Sequence, residues 1–243
     1  MKNLDQRLSK AIAHFWKTRL KQARKQGIRT GQKDAGARSA VTGGAQLDGI
    51  IDLVCDLLIE SGLPDASVIR RKNVVLPGFF RPTKEWDVLV KVDGKLLAAI
   101  EFKSQCGPSY GNNYNNRTEE AIGNATDLWT AYREGVFKPS EKPWLGYLIL
   151  LEHEARSTSP ISVNEPHFKV LPEFEGASYA KRYELLCLKM MRERLYDSAC
   201  FLLSGKKGGA RGEYSEPCPE LTFRNFAASL TSRAIAYAKL RQF

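Results

Sequence analysis

WDVLVKVDGKLLAAIEFKS, residues 86–104, is the stretch that decides the fold. Both halves are rich in Val, Leu, Ile and Phe, which suit a pleated, buried strand. They meet at Asp93–Gly94, a dipeptide that tolerates the positive φ angles of a tight hairpin. Three ionisable groups, Asp87, Glu101 and Lys103, interrupt segments otherwise apolar enough to be core. Charges inserted into buried strands need partners or a metal.

Parity then decides whether the three act together. Side chains alternate across a strand, so Glu101 and Lys103 share a face. A two-residue turn at 93–94 between regular strands pairs 87 with 100 and sends Asp87 to the opposite face. A three-residue loop, 92–94, with Gly94 as the left-handed residue of a bulge, pairs 87 with 99 and brings Asp87 back. The bulged loop is therefore expected.

Working outward, SVIRRKNVVL (67–76) reads as a strand and LPGFFRPTK (76–84) as a turn. Leu47 to Glu60 reads as a helix with Leu47, Ile50, Ile51, Val54, Leu57 and Leu58 on its buried face, stopped by Gly62 and Pro64. On the far side, residues from about Asn116 to Glu134 return to helical spacing, and WLGYLILLE (144–152) is a continuous apolar run suited to a central strand. The core order is thus helix, three-stranded antiparallel unit, helix, strand: an α/β architecture. An amphipathic helix over 3–26, with Leu4, Leu8, Ala11, Ile12, Phe15 and Leu20 as its apolar stripe, precedes a glycine-rich loop over 27–44. After an irregular stretch at 155–176 come helices at 179–195 and 223–240, separated by a basic loop, SGKKGGARGEYSEP. The chain divides into a basic helical arm and mobile loop (1–45), a catalytic core (46–153) and a helical region (154–243) within one domain of 243 residues.

Charge is concentrated at one end. The net charge is +10, and residues 1–38 hold eleven Lys or Arg against Asp5 and Asp34, a net of +9. Such a region attracts polyanions through counterion release, although a solvated basic helix would look the same. The five cysteines are scattered without a CxxC pair, so neither a disulfide framework nor a thiolate zinc site is expected. No apolar run spans a bilayer and the N-terminus lacks a secretory h-region. No membrane partner is expected, and a reducing bacterial cytoplasm, beside the nucleoid, is.

Two carboxylates converging beside the Phe102 carbonyl make an oxygen-rich cage for Mg²⁺, which can activate water against a phosphodiester. Lys103 can orient that water and offset developing charge. Asp48, on the preceding helix, is a fourth candidate metal ligand. The spacing alone is weak, because charged residues also decorate ordinary hairpin edges. Beside this site lies GPSYGNNYNNRTEEAIG (107–123), where Asn112, Asn113, Asn115, Asn116 and Arg117 offer base-edge recognition. One or two of these asparagines would serve equally as helix caps. Arg81 and Lys84 can reach phosphates, or be ordinary solvated turn charges.

With these residues in view, the chain resembles the XhoI-type family of type II restriction endonucleases. The resemblance runs through LPGFFRPTKEWDVLV (76–90), AAIEFKSQCGPSYGNNYNNRTEEAIG (98–123) and GASYAKRYELLC (176–187), and more weakly GGAQLDGI (43–50). It implies a PD-(D/E)xK core with extra N- and C-terminal helices, and Mg²⁺ dependence. It also implies a homodimer cutting the palindrome 5′-CTCGAG in double-stranded DNA to leave 5′ overhangs, beside a DNA methyltransferase protecting the same site. Asp87 and Glu101 match the family's metal carboxylates, Lys103 its lysine, and Asp48 a further acidic position. Trp86 stands where the general nuclease pattern often has proline. A repair or junction nuclease, and a catalytically silent DNA-binding protein, are the rival readings.

Overall fold

The computed structural model describes residues 2–30 and 45–240. Most of the expected 27–44 loop therefore lies outside the described residues, while 27–30 continue the first helix. Helix α1 runs Leu4–Thr30 and α2 Asp48–Glu60. Strands β1 (Val68–Arg70), β2 (Val75–Pro77), β3 (Thr83–Glu85), β4 (Val88–Val92) and β5 (Lys95–Gln105) follow. Next come α3 (Tyr110–Arg133), β6 (Trp144–Glu152), a single turn α4 (Ala155–Thr158) and α5 (Tyr179–Arg192). The chain closes with β7 (Ser198–Ser204), a short α6 (Lys206–Gly209) and α7 (Phe223–Leu240).

The main sheet has the order β1-β4-β5-β6-β7. Strands β1, β4 and β5 are antiparallel, whereas β6 and β7 join β5 in parallel. One face of the sheet, with Val88, Val90, Ile100, Leu148 and Leu202, packs on α1, α2 and α7. The other, with Leu89, Ala99, Tyr147, Ile149 and Phe201, packs on α3 and α5. Period-2 alternation thus feeds two cores and gives three layers. The expected 67–76 strand is broken at Arg71 and Asn73, both with positive φ, and its second half pairs instead with β3 as a separate hairpin.

Two expectations about the chain's second half are corrected. The region 154–243 is not solely helical: SACFLLS forms β7, fully buried on the sheet beside β6. The basic segment after it is anchored, since Leu203 and Ser215 exchange backbone hydrogen bonds and Ser204 Oγ donates to the Glu213 carbonyl at 2.6 Å. Leu20, expected in the α1 stripe, is 41% exposed, and Trp16 takes its place in the core, with Nε1 donating to Ser204 Oγ at 2.9 Å.

The hairpin register also differs from the expected one. Val92 pairs with Lys95 across a two-residue turn, with φ of 50° at Asp93 and 78° at Gly94. The bulge lies further along: Lys91 faces Leu96 and Val90 faces Ala98, leaving Leu97 as the extra residue. Leu97 and Ala98 consequently both face the α1–α2 core. Val88 then pairs with Ile100, and the register carried one residue further sets Asp87 across from Glu101. The parity that brings the two carboxylates to one face is kept by a different device.

Candidate active site

At the mouth of this hairpin β4 ends while β5 continues, so the amide of Phe102 meets a side chain instead of a strand. It donates to Asp87 Oδ2 at 2.7 Å. Amide and carbonyl of one residue project from the same edge in an antiparallel pair, so the Phe102 carbonyl points to the Asp87 side as well. Glu101, on the same face, is only 1% exposed. Its Oε2 accepts from Asn124 Nδ2 at 2.6 Å. Its Oε1 has Lys103 Nζ at 2.5 Å and Lys84 Nζ at 3.5 Å. Lys103 thus makes a short ion pair with this buried oxygen, and Lys84 adds a second positive charge beside it.

The electrostatics separate the two carboxylates. Burial pushes the Asp87 pKa up, incompletely offset by the Phe102 amide and the Lys103 charge. Burial acts the same way on Glu101, yet the Lys103 and Lys84 charges, with hydrogen bonds from Lys103 and the Asn124 amide, outweigh it and hold its pKa below the ordinary range. Lys84 is itself lowered, chiefly because it is desolvated, with Lys103 adding repulsion. Its ammonium also lies 4.9 Å from the Trp86 ring centroid and donates to the Glu85 carbonyl. The residue before Asp87 therefore packs the lysine that faces Glu101.

Helix α3 supplies one wall. It begins at Tyr110, well before the expected start near 116, with Ser109 as N-cap and no side-chain capping bond, so none of the asparagines is its cap. Asn112, Asn113, Asn115, Asn116 and Arg117 are helical instead of forming a loop. The helix sorts them: Asn113 and Arg117, four apart, line the cleft, while Asn112, Asn115 and Asn116 form an exposed stripe. The cleft stripe continues through Glu120, 3.9 Å from Lys103, to Asn124 and Asp127.

The cleft encloses about 250 Å³ and is bounded by Asp87, Lys103, Asn113, Arg117, Arg19 of α1 and Gln46 just before α2. Two of the expected site residues stand elsewhere. Asp48 does not line it; its carboxylate faces Arg71 at 3.8 Å. Among the described residues, no group of three or more His, Cys, Asp or Glu is placed to hold a metal, so Asp48 does not complete a set with Asp87 and Glu101. Arg81 is committed to Asp127 at 2.8 Å and to Asn124 Oδ1 at 2.6 Å, which makes it a structural ion pair in place of a free phosphate contact.

Three polar residues here escaped the sequence reading. Gln46 is 4% exposed, and its Oε1 is buried without a partner. Asn124 and Asp127 are each 4% exposed. Their signal was available: polar residues at helical spacing among Ala121, Ala125 and Leu128, inside an otherwise buried stripe.

Among the described residues no helix is long and apolar enough to cross a membrane. The model of the XhoI restriction endonuclease family matches residues 25–216. The chain is 51% identical over 213 residues to the type II restriction enzyme BstVI of Geobacillus stearothermophilus, covering 86% of this chain and 95% of that one. It is 47% identical to type II restriction enzyme XhoI of Xanthomonas vasicola (74% and 72% covered) and 45% identical to AbrI of Azospirillum brasilense (68% and 74%). No solved structure matches it significantly. The chain belongs to the XhoI restriction endonuclease family.

Proposed function

We propose that this type II restriction endonuclease carries a PD-(D/E)xK site and makes Mg²⁺-dependent double-strand cuts at 5′-CTCGAG. The supporting observation is the convergence of Asp87, Glu101 and Lys103: Lys103 pairs with the buried Glu101 at 2.5 Å and lines the cleft together with Asp87, which accepts from the Phe102 amide. Asp87, Glu101 and the Phe102 carbonyl would hold the ion, a hard donor set that leaves several of its positions to water. Bound there, Mg²⁺ neutralises phosphate charge and makes water a better nucleophile.

The chain's own groups divide the remaining work. Lys103 orients the attacking water and stabilises charge as its oxygen bonds to phosphorus and the bridging P–O bond breaks. Gln46 takes the place first given to Asp48: its free amide oxygen is an acceptor for that water. Lys84 and Arg19 contact phosphates. Asn113 and Arg117 face base edges from within the cleft, with Asn112, Asn115 and Asn116 as a second, outward reading stripe.

A palindrome read by one such site per strand calls for an isologous homodimer. The cell needs a DNA methyltransferase guarding the same sequence, in the bacterial cytoplasm beside the nucleoid. Plasmid digestion with Mg²⁺ tests the reading. Discrete fragments whose sequenced ends carry 5′ overhangs derived from within CTCGAG are expected; structure-dependent nicking favours the repair nuclease, and binding without cutting favours the silent DNA-binding protein.

A further inference from the structure

The β2–β3 hairpin carries a feature that catalysis leaves unused. Its loop, 78–82, is built around a buried carboxylate: Asp127 Oδ1 accepts from the amides of Phe79 at 2.7 Å and Phe80 at 2.8 Å, and Oδ2 from Arg81 Nε at 2.8 Å. A Cβ at Gly78 would lie 2.5 Å from Asp127 Oδ2 and 2.8 Å from the Arg81 carbonyl, so only glycine lets the backbone close so tightly. A loop pinned at two consecutive amides cannot fold its side chains away. Yet the rings it carries are out in solvent, Phe79 49% and Phe80 69% exposed, set edge to face with centroids 4.9 Å apart.

The mount is wired to the site, and its basic groups are paired: Arg70 and Arg71 with Asp52, Arg81 with Asp127, and Lys84 with Glu101. Arg81 Nη2 donates to Asn124 Oδ1 and Asn124 Nδ2 to Glu101 Oε2, each at 2.6 Å. Asp127 and Asn124 are one helical turn apart, about 4.5 Å along α3. A continuous chain of bonds therefore runs from the aromatic tip to the buried glutamate. Because Arg81 and Asn124 tie the tip directly to Glu101, a duplex positioned for cutting there lies within reach of the rings, and its stacked bases are the apolar partner they fit.

We propose that Phe80 is a wedge entering a base step of the duplex in or beside the recognition site, braced edge-on by Phe79. The Asp127–Arg81–Asn124 chain sets the position of Glu101 according to that insertion. This rests on the DNA endonuclease reading. The test uses duplexes with 2-aminopurine at successive positions of the site and its flanks, bound without metal, together with binding and single-turnover cleavage measurements. The unaltered protein should raise fluorescence at one symmetry-related step. Phe80→Ala should abolish that rise, weaken binding about tenfold or more and slow cleavage, without lowering Tm; Phe80→Trp should restore all three. Normal cleavage with no unstacked step, or a Phe80→Ala protein that binds and cuts as the parent does, overturns the wedge while leaving the endonuclease intact. So does loss of self-association in Phe80→Ala with the fluorescence unchanged, since the tip would then be a protein interface. Failure of the unaltered protein to bind DNA overturns both readings.

Discussion

Glu101 and Glu152 lie on neighbouring parallel strands, both almost wholly enclosed at 1% and 2% exposed, and their surroundings differ in one respect. Glu152 is closed: Oε2 accepts from the Gly107 amide at 3.0 Å and Oε1 pairs with Lys206 at 3.1 Å. Asp127 is closed in the same way, by two amides and Arg81. Glu101 is open by contrast: side chains alone hold it, Asn124 at 2.6 Å, Lys103 at 2.5 Å and Lys84 at 3.5 Å, and Lys103 lines the cleft beside Asp87. A buried carboxylate fixed by backbone amides is a structural pin. One kept ionised by movable lysines next to a second carboxylate suits the metal-binding role proposed for it.

The largest expected contrast is in cleavage. Glu101→Ala should reduce single-turnover cutting by about 10²–10³-fold or more while metal-free DNA binding persists. Glu152→Gln should cut at close to the parent rate but lose about 1–3 kcal/mol of stability in a denaturant titration, since its charge-assisted contacts with Gly107 and Lys206 are weakened. Equal loss of cleavage in both would erase the distinction between open and closed carboxylates.

Asp127 sharpens it through pH. Its carboxyl is held below the ordinary range: burial works against this, but the Phe80 and Phe79 amides and Arg81 prevail. A depressed folded-state pKa contributes stability that is present above the unfolded carboxylate range and disappears as pH falls through the lowered value. Asp127→Asn should therefore flatten the acid side of the stability profile and cost about 1–3 kcal/mol near neutrality. An unchanged acid limb would show that Asp127 is not a pin.

A smaller effect concerns the reach of the open site. Gln46→Leu should slow cleavage about tenfold, ~1.4 kcal/mol of barrier, whereas Asp48→Asn should leave it unchanged. The reverse result would restore Asp48 to the site. Smallest of all, Arg19→Ala should weaken binding to every sequence alike and reduce the slope of log K against log salt by about one, which a salt titration reads directly.

Much of this was legible in the sequence because it follows from local rules. The hairpin at Asp93–Gly94, the apolar β6 run and the α2 stripe each carry their own periodicity. Glu101 and Lys103 share a face by parity alone. What stayed hidden depends on distant partners. The hairpin turn gave no sign that Leu97 would be the extra residue, because a two-sided core accepts either bulge position. The asparagine run looked like a loop because Asn is a weak helix former, and tertiary packing of Tyr110, Tyr114 and Ala121 overrides that preference. SACFLLS was overlooked as a strand since it follows a helix after only five residues and has no alternation. Arg81 read as a surface charge because Asp127, its partner, is 46 residues away.

The two margins of the sheet carry a consequence for assembly. On one side the sheet stops at β1, three residues long and turned away by the positive-φ Arg71; on the other, β7 is capped by the Leu203–Ser215 bridge. Neither margin offers a long row of free amides and carbonyls to a visiting strand. Growth of the sheet from one molecule into the next is thereby discouraged. The proposed second subunit would therefore have to dock through side-chain surfaces instead of a strand edge.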